Sequence, residues 1–159
     1  MNAITREAGR SDIALLLLRV VVGVVFVAHG AQKFGLFGGD LGAMANAMAS
    51  FGLEPGVFFA VLAGALEVGG GLLLLVGLIT PLAGLILAGV MVVAIALVTG
   101  RSGFIAADGT GYEYNLVLLA VALALAIGGP GRLSLDHRLG FDWARGGRIR
   151  QMRQGVASR

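Results

Sequence analysis

The sequence predicts an all-α fold, an integral membrane four-helix bundle. Hydrophobic residues make up 57% of the 159 residues and charged residues only 13%, about half the charged share of a soluble domain. The apolar residues form long runs, each close to the roughly 20 residues that a helix needs to cross a bilayer. Glycine and proline break these runs, at Thr80-Pro81 and at 128–131, where we expect the chain to turn.

Four apolar runs define the predicted spans. They cover residues 13–34, 57–79, 82–98 and 112–127, and the third and fourth are short for a bilayer. A cleaved signal peptide is an alternative for the first run, with Ala28 and Gly30 as its small-residue cleavage site. Because Arg19 interrupts this run, and the run is long for such a peptide, we expect it to remain as a transmembrane helix.

The basic residues predict how the bundle is oriented. Two precede the first span and seven follow the fourth, whereas only Lys33 and Arg101 lie in the first and third connections. The positive-inside bias therefore predicts that both termini are cytoplasmic and that the connections 35–56 and 99–111 face outward. Residues 1–12 are then a cytoplasmic N-terminal segment and residues 13–131 the bundle. Residues 132–159 form a basic cytoplasmic tail, which suits anionic lipid better than nucleic acid.

The first outward connection contains its own periodic pattern. Leu41, Met44, Met48 and Phe51 recur at near-helical spacing between glycines. This spacing predicts a short outer-surface helix between the first and second spans, acting either as a surface connector or as a lid.

Several kinds of chemistry are excluded for the chain alone. The sequence has no cysteine, which removes thiol nucleophiles, disulfide exchange and cysteine-ligated iron–sulfur clusters. It shows no phosphate-binding loop, no metal-ligand spacing and no hydrolytic triad. His29 and His137 are predicted on opposite sides of the membrane, so one chain does not supply two histidines to a haem.

Charged residues inside the spans are the strongest functional signal. A charge in a bilayer costs roughly 2.5–3.5 kcal/mol on insertion scales, so it usually faces the bundle interior and has a partner. At 100° per residue, Arg19, His29 and Lys33 share one broad face of the first helix, with Gln32 at its edge. Glu67 lies near the middle of the antiparallel second helix, and we expect it between Arg19 and His29 in depth, within reach of either.

Small residues surround Glu67 on its helix. Ala63, Gly64, Gly70 and Gly71 occupy the positions three and four residues away, so another helix or a ligand can approach closely. One interpretation is structural, with Glu67 bridged to Arg19 to close the bundle. The other is a functional carboxylate in a proton or ligand pathway, and the two are compatible because buried pairs tune such groups.

Aromatic residues cluster towards the predicted outer side. An interfacial belt explains part of this pattern, but a one-sided cluster rich in phenylalanine also suits a pocket for a flat apolar ring. The members of the cluster are Phe26, Phe34, Phe37, Phe51, Phe58, Phe59, Phe104, Tyr112 and Tyr114.

Three segments together resemble the DoxX family of small bacterial membrane proteins. They are HGAQKFGLFGG (29–39), LEVGGGLLLLVGLITPLAG (66–84) and YEYNLVLLAVALALAIGGPGRLSLD (112–136), and the resemblance extends over residues 12–139. It implies a multi-pass four-helix bundle in the bacterial inner membrane and an association with oxidoreductase complexes, one of which is quinone-linked. Polar residues that recur in the family match Arg19, His29, Lys33, Glu67 and Glu113, but the resemblance assigns no catalytic role to them.

The first functional hypothesis is a quinone-reactive or membrane-anchoring subunit of an oxidoreductase complex. Proton transfer is assigned to Glu67, His29 or Glu113. A second polypeptide would supply the electrons, since no bound redox centre is visible in the sequence. The quinone would be bound by a set of aromatic and polar residues: Phe26, Phe58, Tyr112, Arg19, Gln32 and Lys33.

Two other classes of function stay open. A non-enzymatic membrane scaffold would dock a redox or stress-response partner, or a second copy of the chain, through its glycine-lined faces and basic tail. A carrier for a small molecule is the weaker alternative, because no inverted repeat or broken helix is evident.

Overall fold

A computed structural model describes residues 9–107 and 109–141, and all regular secondary structure among them is helical. The helices are α1 (Arg10–Lys33), α2 (Leu41–Ser50), α3 (Gly56–Val76), α4 (Thr80–Val93), α5 (Glu113–Gly128) and α6 (Leu135–Arg138). A π-helical segment, Ala94–Thr99, continues α4 without a break. The predicted tail beyond residue 141 and the first eight residues lie outside the described part of the chain.

Three of the described helices are long and apolar enough to cross a membrane. They are Arg10–Lys33, Gly56–Val76 and the continuous stretch Thr80–Ser102, while Glu113–Gly128 is apolar but shorter. These bounds lie within three residues of the predicted spans at nearly every end. The all-helical prediction is thus confirmed, and the chain has the helices of a membrane bundle.

The turn between α3 and α4 differs from the prediction for a backbone reason. The second span was expected to end at Ile79, but α3 ends at Val76 because Gly77 adopts a left-handed conformation with φ of 69°, which is a common helix stop. Helix α4 then begins at Thr80 with Pro81 in its first turn, where a missing N–H has no helical partner to lose.

The short helix predicted in the first connection is present as α2. Asp40 caps it, since its side chain accepts a hydrogen bond of 2.8 Å from the backbone N–H of Ala43. The helix packs against α3, and Gly56 allows the close approach, because a side chain there would overlap the Ala45 carbonyl. The side of the membrane on which α2 lies stays a prediction.

Glycines bring α1 and α3 into direct backbone contact. A Cβ atom added to Gly30 would lie 2.8 Å from the Gly64 carbonyl oxygen, and one added to Gly71 would lie 2.8 Å from the Gly23 carbonyl oxygen. The smooth strip predicted around Glu67 therefore serves helix packing. Helices α4 and α5 approach similarly at Gly84.

One end of the bundle is closed by the segment that follows α5. Asp136 is fully buried, and its carboxylate accepts backbone hydrogen bonds from Ile79 (2.7 Å) and Thr80 (3.0 Å). A carboxylate at a helix N-terminus is favourable, so Asp136 caps α4 from a distant part of the chain. Asp12 likewise accepts a bond of 2.8 Å from the Arg132 backbone N–H. We call this end, where α6 lies, the α6 end.

The opposite end of the bundle, where α2 packs, is more open, and we call it the α2 end. Helices α3 and α4 are held together at their tight turn at the α6 end and, towards the α2 end, leave a cavity among α1, α3, α4 and α5. This cavity is the candidate site.

Candidate functional site

The cavity has a volume of about 730 Å³ and is almost entirely apolar. Its size lies within the roughly 300–1,000 Å³ of ligand pockets, which typically combine apolar walls with a few polar groups that orient the ligand. Phe26 and Met91 form its floor in the bundle core, and Met44 and Met48 of α2 line it at the α2 end.

An ion pair between Lys33 and Glu67 lies in the wall formed by α1 and α3. The Lys33 Nζ atom is 2.5 Å from Glu67 Oε2, and both side chains are largely buried. Lys33 also donates a longer bond of 3.4 Å to the His29 carbonyl. Since an ammonium group has three donors, one N–H of Lys33 has no partner among the described residues and is available to an acceptor in the cavity.

His29 adds a third polar side chain to the same wall, beside Lys33 and Glu67. Its Nδ1 atom is 3.0 Å from the Val25 carbonyl oxygen, which can only accept, so Nδ1 carries the hydrogen. The other ring nitrogen, Nε2, is left to accept a proton or a hydrogen bond. The ring also packs against Tyr114 on α5, with centroids 5.7 Å apart, which joins α1 to α5 beside the cavity.

A polar pair lies on the facing helices. Asn115 on α5 donates a hydrogen bond of 3.0 Å to Thr99 Oγ1, and both residues line the cavity. Thr99 is the last residue of the π-helical segment, a type of helix that occurs frequently at functional sites. The cavity thus has polar groups on α1 and α3 and a second set on α4 and α5, with apolar surface between them.

The structure brings together part of the predicted site. Phe26, His29, Lys33 and Glu67 all line the cavity. Glu67 pairs with Lys33 because both lie towards the α2 end of their helices.

Other predicted site residues lie outside the cavity lining. Gln32 and Phe58 are exposed on the bundle surface, and Phe58 stacks edge-on against Phe59. Tyr112 packs against Phe104 in the loop before α5. Glu113 is half-buried at the start of α5, and its Oε2 atom has no hydrogen-bond partner among the described residues.

Arg19 corrects the expectation of a bridge to Glu67. It is fully buried near the α6 end, where its Nη2 atom donates a bond of 2.5 Å to the Leu133 carbonyl oxygen. Gly77 makes room for the guanidinium, because a side chain there would overlap it. Arg19 lies 14 residues before Lys33, about 21 Å along the helix, so it does share a helical face with Lys33 but not a site.

Sequence reasoning missed several residues of the cavity. Phe59 lines it instead of Phe58, and helical spacing explains this: Phe58 is nine residues from Glu67, about 180° around the axis, whereas Phe59 is about 80° away. Tyr114 and Asn115 follow the predicted Tyr112 closely, and they line the cavity whereas Tyr112 does not. Nothing in the sequence indicated that Thr99 belongs to the site, because it ends an ordinary apolar run.

Taken together, the fold and the cavity define a class: a helical membrane protein with an apolar pocket between its helices and a buried ion pair in the wall of that pocket. A sequence profile of the DoxX family matches residues 14–100, which is more than half of the chain. The chain therefore belongs to the DoxX family, as its motifs indicated.

Two relatives are similar over most of the chain. One is named "Uncharacterized membrane protein Rv3486", from Mycobacterium tuberculosis, and is 35% identical over 135 residues, covering 79% of this chain and 81% of that protein. Another is named "Putative oxidoreductase CatD", from Bacillus subtilis, and is 33% identical over 125 residues, covering 79% of this chain and 86% of that protein. No solved structure gives a significant match.

Proposed function

We propose that this protein is a quinone-reactive membrane subunit of an oxidoreductase complex in the bacterial inner membrane. The observation that carries the proposal is the apolar cavity with the Lys33–Glu67 pair in its wall. The name of the Bacillus subtilis relative points to the same class of reaction.

The residues present fit a quinone ring. The ring is flat and apolar, with acceptor oxygens at opposite edges. The cavity offers apolar and aromatic surface from Phe26 and Phe59, with polar groups on opposing helices. The uncommitted N–H of Lys33 suits one oxygen, and the Asn115–Thr99 pair suits the other.

Each polar residue of the cavity then has a distinct role. Lys33 donates a hydrogen bond to the ligand and is held in place by Glu67 and the His29 carbonyl. Glu67 is the nearest carboxylate to Lys33. It can take a proton from Lys33 and can return one to it. His29, with its free Nε2, is the third titratable group of the wall. A bound quinone supplies the capacity to accept two electrons and two protons.

The electrons must come from a second polypeptide. The chain has no cysteine, and no cluster of three or more histidine and acidic residues with the spacing to hold a metal ion occurs among the described residues. We therefore propose that the protein works with a redox partner, which the basic residues 132–159 and the bundle surface would help to dock.

Reduction of quinone to quinol in membranes tests the proposed function. Membranes carrying Glu67→Gln or His29→Ala are expected to lose at least about 90% of the quinone reduction that depends on this protein, since removing a proton-transfer group lowers rates by about 10²–10⁴-fold. Glu54→Gln is the matched control, because Glu54 is exposed and does not line the cavity. All variants are compared at equal protein abundance.

The competing function is a scaffold without redox activity. It predicts that membranes with either cavity variant reduce quinone as wild-type membranes do and that the purified protein retains a partner polypeptide but no quinone. That combination of results would remove the quinone proposal.

A further inference from the structure

The cavity extends from the bundle core to the side of the protein. Its walls include Leu62 on α3 and Val93 on α4, whose side chains are 40% and 51% exposed. Leu62 lies about 140° around α3 from Glu67. The cavity therefore passes between α3 and α4 and reaches the bundle surface, which is apolar there.

Gly89 marks the opening on α4. It lines the cavity and is exposed, and a Cβ atom added there would meet nothing within 4 Å. It therefore differs from Gly70 and Gly84, where an added Cβ atom would lie less than 3 Å from atoms of a neighbouring helix. Gly89 leaves a gap instead of allowing a helix contact, so the opening is a feature of the α4 surface.

The cavity is polar at one end and apolar at the other. The Lys33–Glu67 pair and the Asn115–Thr99 pair lie towards the α2 end, and Met44 and Met48 cover that end. The side opening, in contrast, is lined by Leu62, Leu66, Ile86, Gly89 and Val93. An occupant with a polar ring and a hydrocarbon tail matches this gradient if the ring lies inside and the tail leaves between α3 and α4.

We infer that the gap between α3 and α4 is a lateral portal through which a membrane-dissolved, tailed ligand enters the cavity, with its hydrocarbon tail remaining in the gap beside Gly89. This inference rests on the proposed function and adds the route and the ligand class. The ligand reaches the site from the lipid, and a tail-less analogue occupies the ring site without using the gap.

Binding of two probes separates the portal from the ring site. The probes are decylubiquinone and the same benzoquinone without its decyl tail, each titrated against the full chain in lipid nanodiscs. Gly89→Trp fills the gap and is expected to weaken decylubiquinone binding by about tenfold or more, the order expected for overpacking an occupied path. Binding of the tail-less probe should change by less than about twofold.

Gly69→Trp is the matched control. Gly69 lies mid-helix on α3, a Cβ atom there also meets nothing within 4 Å, and it does not line the cavity. We expect it to leave both affinities unchanged. Gly89→Leu, a smaller change, should weaken decylubiquinone binding by an intermediate factor, and this provides a second reading if the tryptophan variant does not fold.

The outcomes distinguish this inference from the function on which it depends. If the wild type binds both probes and the Gly89 variants bind decylubiquinone normally, the portal is wrong and the proposed function stands. Equal losses for both probes would place Gly89 at the ring site and also overturn the portal. If Gly89 mediates contact with a second copy, the variant changes the oligomeric state and not the probe affinities. No binding of either probe by the wild type would overturn the proposed function itself.

Discussion

The partner of each buried charge decides what that residue does. Glu67 and Lys33 form a pair at the cavity, whereas Arg19 binds the Leu133 carbonyl near the buried Asp136, towards the other end of α1. The two sites are thus chemically separate. Charge at the α6 end holds the chain together, and charge at the cavity lies in the wall of an apolar pocket.

Substitution of both members of the cavity pair separates stability from binding. Lys33→Met alone leaves Glu67 buried without a partner, and we expect a loss of about 3–5 kcal/mol in the free energy of unfolding. The double variant Lys33→Met/Glu67→Leu removes both charges and should recover most of that loss. Denaturant titration of the purified variants measures this, and quinone binding should stay absent in both. Normal binding by a stable double variant would contradict the assigned role.

Arg19 is expected to behave in the opposite way. Arg19→Met removes the bond to Leu133 and the positive charge near Asp136, and should lower the free energy of unfolding by about 3 kcal/mol or more. The fraction that remains folded should bind quinone with unchanged affinity. Arg10→Met is the control, since Arg10 is exposed at the start of α1. Loss of affinity in folded Arg19→Met protein would restore Arg19 to the binding site.

At the scale of the helices, glycine determines which surfaces touch and which separate. Gly30, Gly64 and Gly71 permit backbone contact between α1 and α3. That contact fixes the relative position of Lys33 and Glu67 on the two helices. The pair is therefore positioned by packing that lies partly outside the cavity.

A pair of alanine substitutions tests this packing. Gly30→Ala places a methyl group 2.8 Å from the Gly64 carbonyl oxygen, and we expect it to destabilise the protein by about 1–3 kcal/mol. Gly69→Ala enters open space and should be neutral, or stabilising by up to about 1 kcal/mol, because alanine favours helix over glycine. Thermal unfolding in detergent compares the two. Equal stability of both variants would show that the α1–α3 contact is looser than described.

The helices were predictable from the sequence, but their mutual arrangement was less so. Apolar runs and breakers located the four apolar helices α1, α3, α4 and α5, and the periodicity of Leu41, Met44 and Met48 located α2. The prediction of a pair with Glu67 failed for Arg19 because its hydrogen-bond partner, Leu133, and the nearby carboxylate of Asp136 lie more than a hundred residues away and follow the last apolar helix. The Asn115–Thr99 pair was missed because Thr99 ends an ordinary apolar run and nothing in the sequence distinguishes it.

For the whole molecule, the bond between Asp12 and Arg132 brings the start of α1 and the end of α5 to the same end of the bundle. This arrangement agrees with an even number of spans. The positive-inside rule predicts that the α6 end is cytoplasmic and that the cavity lies nearer the outer leaflet, and this orientation stays a prediction.

The absence of cysteine makes this orientation straightforward to measure. Ser50→Cys on α2 and Ser11→Cys on α1 introduce single thiols at exposed positions of opposite ends. A membrane-impermeant maleimide added to intact cells should label the thiol at position 50, and should label the thiol at position 11 only after the membrane is opened. The reverse pattern of labelling would place the cavity at the inner leaflet.

The central claim, that the cavity holds a quinone against the Lys33–Glu67 pair, is tested most directly by what the protein carries from its membrane. The measurement is quinone content, by mass spectrometry of lipid extracts from gently purified wild type and from the Lys33→Met/Glu67→Leu variant. We predict quinone enriched over bulk lipid in the wild type and reduced to the bulk level in the variant. Quinone at the bulk level in both proteins, with both folded, would contradict the claim.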